Sequence, residues 1–426
     1  MKQIRRFSTA CVVLCLFGSA WAAEVSVSPG SGTLSDAITA ASDGDTLVLE
    51  DGGYYGAVTV DRSLTIRPVN RSTNAVVDGP VTIEGAGITV TLQGLKFSGD
   101  VSLRQAAAIR LLENEWLSDD IEGNYYRSSE GDGSLVVVGN RFGVGSSIHN
   151  VRVDGAYIAG NTLYDGQIET ESYAWIVGND VSISTSLGAA AIYASDTAGT
   201  TFVLGNRVRC SWNQSYYQSG CLQTNSAFNL IAGNIVEHED RSSSTSDVQR
   251  GIHASGVAEA IIVNNVVRWT SAVTTTPGSG IAVVSGSARV SGNIVLDWLG
   301  AASPSIIDVD PLAGTATHNL CWNNSGPCPT GDGNIDADPQ FVDLVDYALG
   351  PASPAIDAGP TDFNLADLDR SRNDMGVQGG PWNIGQYDAQ RDPGSFAPYV
   401  YPLLKIDSLL SGGVLEYRTL GVARLR

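Results

Sequence analysis

Six short runs between residues 151 and 284 carry polar side chains where a β-strand would turn them outward. Setting the apolar residues Val151, Ile168, Ile192, Leu222, Ile252 and Ile281 in register as the inward positions leaves two outward columns, because side chains alternate along a strand. One column reads Arg152, Glu169, Tyr193, Gln223, His253 and Ala282; the other reads Asp154, Glu171, Ser195, Asn225, Ser255 and Val284. Stacked as neighbouring strands, the polar part of these columns is about 20 Å long, at about 4.8 Å per spacing. Tyr193, His253 and Arg152 are its groups able to move a proton or hold negative charge, and they form the expected catalytic set. Gln223, Asn225 and Ser255 offer amides and a hydroxyl to sugar hydroxyls, and Trp212 and Tyr217 are expected in adjacent loops as stacking surfaces. Together these residues make a carbohydrate site.

The acidic members admit two chemistries. Glu169 and Glu171 share one face at i, i+2, with Asp154 one run away; such a trio raises one member's pKa or holds a hard cation such as calcium. Calcium would also let an acidic protein grip an acidic polymer, carboxylate to carboxylate. In β-elimination a base removes the proton beside a uronate carboxylate whose charge a cation neutralises. Tyr193 or His253 as base, with Arg152 or calcium as neutraliser, meets that scheme, and Arg152 is itself kept among the proton acceptors. Hydrolysis needs only two carboxylates flanking the glycosidic bond, and Asp154, Glu169, Glu171 and Asp196 supply candidates. A third reading has the same face bind glycan without cleaving it. No organic cofactor is expected, because no P-loop, dinucleotide fingerprint, zinc spacing or nucleophile elbow is present.

Something must stack these runs, and the sequence repeats accordingly. A short apolar run ending in Asn, usually Gly-Asn, recurs at Asn114, Asn140, Asn161, Asn179, Asn206, Asn234, Asn265, Asn293 and Asn319, at separations of 18 to 31 residues. Loops therefore vary while one corner stays constant. Asn tolerates the left-handed backbone of a sharp corner, and its amide can bond the Asn one turn above and below. The resulting architecture is all-β, a single-stranded right-handed parallel β-helix with an apolar column inside. Residues 33–41 place Leu34, Ala37, Ile38 and Ala41 on one helical face, which makes an N-terminal capping helix. After each Gly-Asn, Val208, Val236, Val267 and Val295 face inward, so Arg209, Glu237 and Arg268 form an outward ion-pair ladder. His238 is expected in a long solvated loop.

Composition narrows the partners. Of 426 residues, 25 are Lys or Arg and 45 Asp or Glu, and 48 are Gly, as many tight turns require. Residues 1–22 have a basic start, an apolar run and an Ala20-Trp21-Ala22 exit, the layout of a secretory signal peptide; no other stretch is long enough to span a bilayer. Its removal takes three cations and no anion, so the charge moves from −20 to −23. Nucleic acid is excluded as a natural partner, and membrane insertion is not expected. The expected location is extracellular or periplasmic. Of six Cys, two leave with the signal, and Cys210/Cys221 and Cys321/Cys328 remain as close pairs suited to local disulfides in an exported protein. Lys96 and Lys405 are the two lysines left.

The order of helix, DGDTLVLEDGGYYG, an LTIRP strand and LQGLKFSG resembles the start of the pectate-lyase-like superfamily of secreted β-helix proteins. GNIDADPQFVD, DYALGPASPAIDAG and DLDRSRNDMGVQGGPWNIGQYD resemble the closing segment of many bacterial members. The resemblance covers residues 24 to 388 and implies a substrate cleft on the strand carrying the two columns. With the signal peptide at 1–22, this makes 23–388 the β-helix with a closing segment at 330–388, and it leaves unplaced a tail, 389–426, that alternates apolar and polar residues as a strand would. The carboxylates also resemble the chondroitinase-B and alginate-lyase branch, in which carboxylates on adjacent coils hold calcium against a substrate uronate. That branch uses a Lys base with an Arg partner; here those places read Glu169/Glu171 and Tyr193. The expectation is a secreted enzyme cleaving an acidic polysaccharide of an extracellular or biofilm matrix by β-elimination, with hydrolysis or simple glycan binding as alternatives.

Overall fold

The computed structural model describes residues 22–387, except 71, 105–107, 123–133, 154, 186–189, 197–198, 213–218, 242–247, 272–277, 300–304 and 311, together with strands 399–404 and 417–422. Three parallel sheets of 13, 14 and 11 strands run the length of the molecule, and each strand pairs with its counterpart one coil before and after. This is the right-handed parallel β-helix expected. One coil shows the pattern: Phe228–Ala232 in the first sheet, the Gly233-Asn234 corner, Ile235–Asp240 in the second sheet, and Gln249–Ala254 in the third. Ile231, Val236 and Ile252 from these strands are fully buried in one continuous core. The helix Thr33–Ala40 buries Leu34 and Ile38 against the first coils, covering the strand ends that an open stack would expose.

The corner divides its labour differently from expectation. The left-handed residue is the one before the ladder Asn: Gly139, Gly160, Gly178, Gly205, Gly233 and Gly292 have φ of 61° to 68°, and Glu113, Asn264 and His318 take that place elsewhere. The glycine makes the turn, which frees the Asn amide to bond along the axis. Each amide nitrogen donates to the next Asn Oδ1, from Asn114 through Asn319, and the column gains a tenth member, Asn334.

The closing segment runs back over the outside of the second sheet. Tyr347, Met375, Val377 and Ile384 are buried there on Ile235, Val266 and Ile294. The Tyr347 hydroxyl donates to Glu237 Oε1 at 2.6 Å, within the charge ladder in which Arg209 meets Glu237 at 3.3 Å and Arg268 meets Asp297 at 2.9 Å. The segment also crosses the corner, where a Cβ on Gly233 would lie 2.1 Å from the Trp382 carbonyl oxygen. Gly233→Ala therefore meets both a positive φ and a blocked space. It is expected to lower stability by about 2 kcal/mol or more, read as a drop in thermal midpoint.

Cys210–Cys221 and Cys321–Cys328 are both bonded. The first joins the second sheet to the third across the segment that follows Trp212. By loop closure it is worth about 3 kcal/mol; Cys210→Ala should lower the thermal midpoint accordingly, and a reductant should then have less further effect. The strands Tyr399–Leu404 and Tyr417–Val422 pair antiparallel with each other.

Candidate functional site

The third sheet presents its outer face as a ladder of side chains held by parallel pairing. Its register runs Glu122, His149, Glu169, Tyr193, Gln223, His253, Ala282 and Asp308. From Glu169 to Ala282 this is the expected first column. Glu171, Ser195, Asn225 and Ser255 follow one another just past the strand ends, each tied by its backbone N–H to the preceding coil. The second column therefore stands over the same coils.

One coil departs from expectation. Ile148, not Val151, pairs with Ile168, while Val151 pairs with Thr170, so the strand Ile148–Val151 contains a bulge. Bulges re-aim side chains and are common beside active sites. Here the extra residue lets His149, on the strand, and Arg152, just past its end, both face outward. Arg152 stands beside Glu171 rather than Glu169, with its Nε 2.5 Å from Glu171 Oε2. His149 takes the place beside Glu169 that Arg152 was expected to fill.

His149 lies between two carboxylates: Nδ1 is 3.4 Å from Glu169 Oε2, and Nε2 is 3.8 Å from Asp120 Oδ2. The hydrogen bond to Glu169, then the charge of Asp120, lift the imidazole above its ordinary pKa against the opposing effect of burial. Burial raises Asp120 itself, although its carboxylate accepts the Ser147 N–H at 2.6 Å. Arg152 is held as a guanidinium by Glu171 and its pKa is pushed further up. It fits the role of neutralising cation, and its expected alternative use as a proton acceptor is corrected.

Tyr193, Gln223, Asn225 and Ser255 are half-buried along the face. His253 is in the column, yet only 5% exposed, and neither ring nitrogen has a hydrogen-bond partner. Burial and then the charge of Arg250 depress its pKa to about 4, so it is neutral at ordinary pH. Trp212 is no loop platform. It is fully buried inside the helix, edge-on to His238 at 4.6 Å, and cannot stack on a sugar. His238 is likewise in the core rather than a solvated loop, lying flat against Trp269 and 3.0 Å from Gln249 Oε1. Both follow from alternation: with Val208 and Val236 inward, residues two and four farther along are inward too.

Tyr217 and Asp154 lie outside the described residues. Among the described residues no three His, Cys, Asp or Glu side chains are arranged to hold a metal ion. Glu171 faces the Arg152 guanidinium and Glu169 the His149 imidazole; with Asp154 outside the described residues, the calcium expected on Asp154, Glu169 and Glu171 stays an expectation. His149 and Asp120 are the functional candidates that alignment on Val151 passed over. The available signal was the odd spacing between the apolar residues Ile148 and Val151, which a regular strand does not produce.

The face thus holds an imidazole that can take or give a proton, a guanidinium beside it, a phenol one coil beyond Glu169, and a row of amides and hydroxyls. No protein-family model and no curated protein matches the sequence. Among solved structures the chain is similar to pectate lyase Pel9A, with 14% identity and a TM-score of 0.38 over 84% of this chain and 96% of that one. It is also similar to the PL6 family alginate lyase AlyGC, with 11% identity and a TM-score of 0.37, and to a mutant of that enzyme, with 13% and 0.40. Each alginate lyase alignment covers 87% of this chain, which spans 59% of the alginate lyase's length. These proteins are polysaccharide lyases by name, and at such identities the likeness is one of fold.

Proposed function

We propose that the outer face of the third sheet cleaves a uronate-containing polysaccharide of an extracellular or biofilm matrix by β-elimination, in a protein exported from the cell that makes it. The bulge that turns His149 and Arg152 outward together carries this reading. Neutral His149 takes the proton on the carbon bearing the uronate carboxylate, and the flanking Glu169 and Asp120 stabilise the imidazolium formed. Arg152 faces the carboxylate, whose charge grows as that proton leaves. The electron pair forms the ring double bond as the glycosidic C–O bond breaks, and the departing oxygen takes a proton from an acid on the same face, a role we assign to Tyr193. Export is supported by the signal-like start, the two disulfides, and the absence among the described residues of a helix long and apolar enough to cross a membrane.

The test is ultraviolet absorbance by the unsaturated uronate end while the protein acts on alginate, polygalacturonate and other uronate polymers. Activity is expected to survive EDTA; its loss would return Glu169 and Glu171 to a metal. Because protein and substrate are both acidic, raising ionic strength from about 10 mM to about 150 mM shortens screening from about 30 Å to about 8 Å. A several-fold fall in KM is expected over that range.

Hydrolysis is the second reading, favoured by one observation. Burial raises the carboxyl of Asp120 toward an acid's role, and Glu169 lies across the imidazole from it. The column positions two coils apart are about 10 Å from one another, near the ~6.5–9.5 Å separation of inverting glycosidases. New reducing ends without ultraviolet absorbance would select it. Binding with neither product would leave a glycan-binding protein.

A further inference from the structure

Both outward columns of the third sheet continue past the bulge toward the first coils. In the first column Ser102 precedes Glu122 and His149, and Thr59 and Thr82 precede Ser102. Arg104 belongs to the second column. It follows the buried Leu103 as Arg152 follows Val151 and as Glu171 follows Thr170. Its backbone N–H donates to the Ile83 carbonyl at 2.9 Å, as that of Glu171 donates to Val151. Arg104 and Arg152 therefore share one column two coils apart, about 10 Å along the axis. Their surroundings differ. Arg152 is paired with Glu171, whereas Arg104 is exposed and its guanidinium has no hydrogen bond or ion pair among the described residues. The chain has 45 Asp and Glu against 25 Lys and Arg, so this arginine is not unpaired for want of acids. It is left open on the face proposed to hold the polymer.

We infer that Arg104 is a specificity-determining residue, binding the carboxylate of a uronate unit about two sugars along the polymer from the unit held at Arg152. A guanidinium takes a carboxylate through two parallel N–H bonds, and one without a partner in the protein gives up only water to do so. Coils about 4.8 Å apart match the rise of one pyranose unit in an extended chain, so successive units lie over successive coils. Ser102 and Thr82, half-buried in the column beside Arg104, offer hydroxyls to the sugar between the two arginines and beyond. The inference rests on reading the third sheet as a uronate-polymer face. It adds that the polymer runs past the bulge toward the first coils, and that oligomers too short to reach Arg104 are held less tightly.

The test is steady-state cleavage by the full chain of polygalacturonate, alginate and their oligomers from dimer to hexamer. It is read both by ultraviolet absorbance and by new reducing ends, so it serves elimination and hydrolysis alike. For the wild type, KM should fall once the oligomer is long enough to reach Arg104. Arg104→Gln should raise KM about tenfold for the long substrates, with kcat changed less than twofold and the shortest oligomers unaffected, because binding remote from the reaction is what is lost. Arg104→Lys keeps the charge without the paired donors and should recover part of that loss. Arg110→Gln is the control for net charge. Arg110 is also exposed and unpaired among the described residues, but it lies on the first sheet, and its replacement should change neither constant. Both arginines are exposed, so these variants should melt as the wild type does. Equal KM for wild type and Arg104→Gln at every length, or an equal rise from Arg110→Gln, would overturn the subsite and leave the proposed function standing. A wild type that cleaves neither polymer nor oligomer would overturn both.

Discussion

His149→Gln is expected to lower kcat by about 10² to 10⁴-fold, the usual contribution of a positioned acid or base, while KM changes by no more than a few-fold. Gln keeps a hydrogen bond toward Glu169 but cannot titrate, so the loss belongs to proton transfer rather than to packing. The pH profile carries the sharper information. Glu169 and then Asp120 raise the imidazole above its ordinary pKa of about 6.5. A base must be unprotonated, so the acid limb of kcat/KM should lie above that value and the optimum on the alkaline side. Glu169→Gln removes the largest cause and should move the limb toward lower pH, with Asp120→Asn acting in the same direction and more weakly. Stability should run the other way. A histidine whose folded pKa is raised stabilises the fold fully below its unfolded pKa and loses that contribution as pH rises through the folded one. The pH that activates the site thus loosens the rung that holds it. An acid limb near pH 4 to 5, in the ordinary range of carboxylates, would remove His149 as the base and favour the hydrolytic reading.

Much of this was legible from residue types because a β-helix is nearly one-dimensional. The Gly-Asn recurrence carries the stacking, and two-residue alternation carries the faces, so Glu169, Tyr193, Gln223 and His253 could be set in one column without any knowledge of loops. Where the period breaks, the reading breaks with it. At Ile148–Val151 a single extra residue changes which side chain neighbours Glu169, and an ungapped alternation cannot express that. Trp212 and His238 differ for another reason. Their aromatic or charged character amid polar neighbours suggests a loop, but the phase of strands whose valines face inward puts both side chains in the core. Burial of His253 depends on what lies over the face, which strand periodicity does not encode. The same holds for the closing segment, whose Tyr347 reaches Glu237 across 110 residues of sequence.

Asn206→Leu should be among the most destabilising single changes in the molecule. Asn206 is fully buried, and its amide uses its whole hydrogen-bonding capacity. Nδ2 donates to Asn234 Oδ1 and to the Ile176 carbonyl, both at 2.9 Å, while Oδ1 accepts the backbone N–H and the Nδ2 of Asn179, also at 2.9 Å. Leucine fills the space but leaves the Ile176 carbonyl and the Asn179 N–H buried and unsatisfied, at about 1–3 kcal/mol each. A loss of about 3–6 kcal/mol is a large share of the ~5–15 kcal/mol that holds a typical fold together. Asn334, the last member, is only partly buried, and water can serve the groups it leaves, so Asn334→Leu should cost about 1–2 kcal/mol. This position dependence is the test, read from urea midpoints by tryptophan fluorescence and circular dichroism together, since stacked repeats need not unfold in one step. Equal losses at the two positions would mean that the ladder acts as separate pairs and not as a continuous column. The consequence reaches the outer face, because Asn206 belongs to the coil that carries Gln223, and Asn179 to the one that carries Tyr193. The amide pair between them sets the spacing of those two side chains from inside. A folded Asn206→Leu protein should therefore also lose affinity for polymer, although the substituted residue lies in the interior, at a different corner of the coil from any sugar.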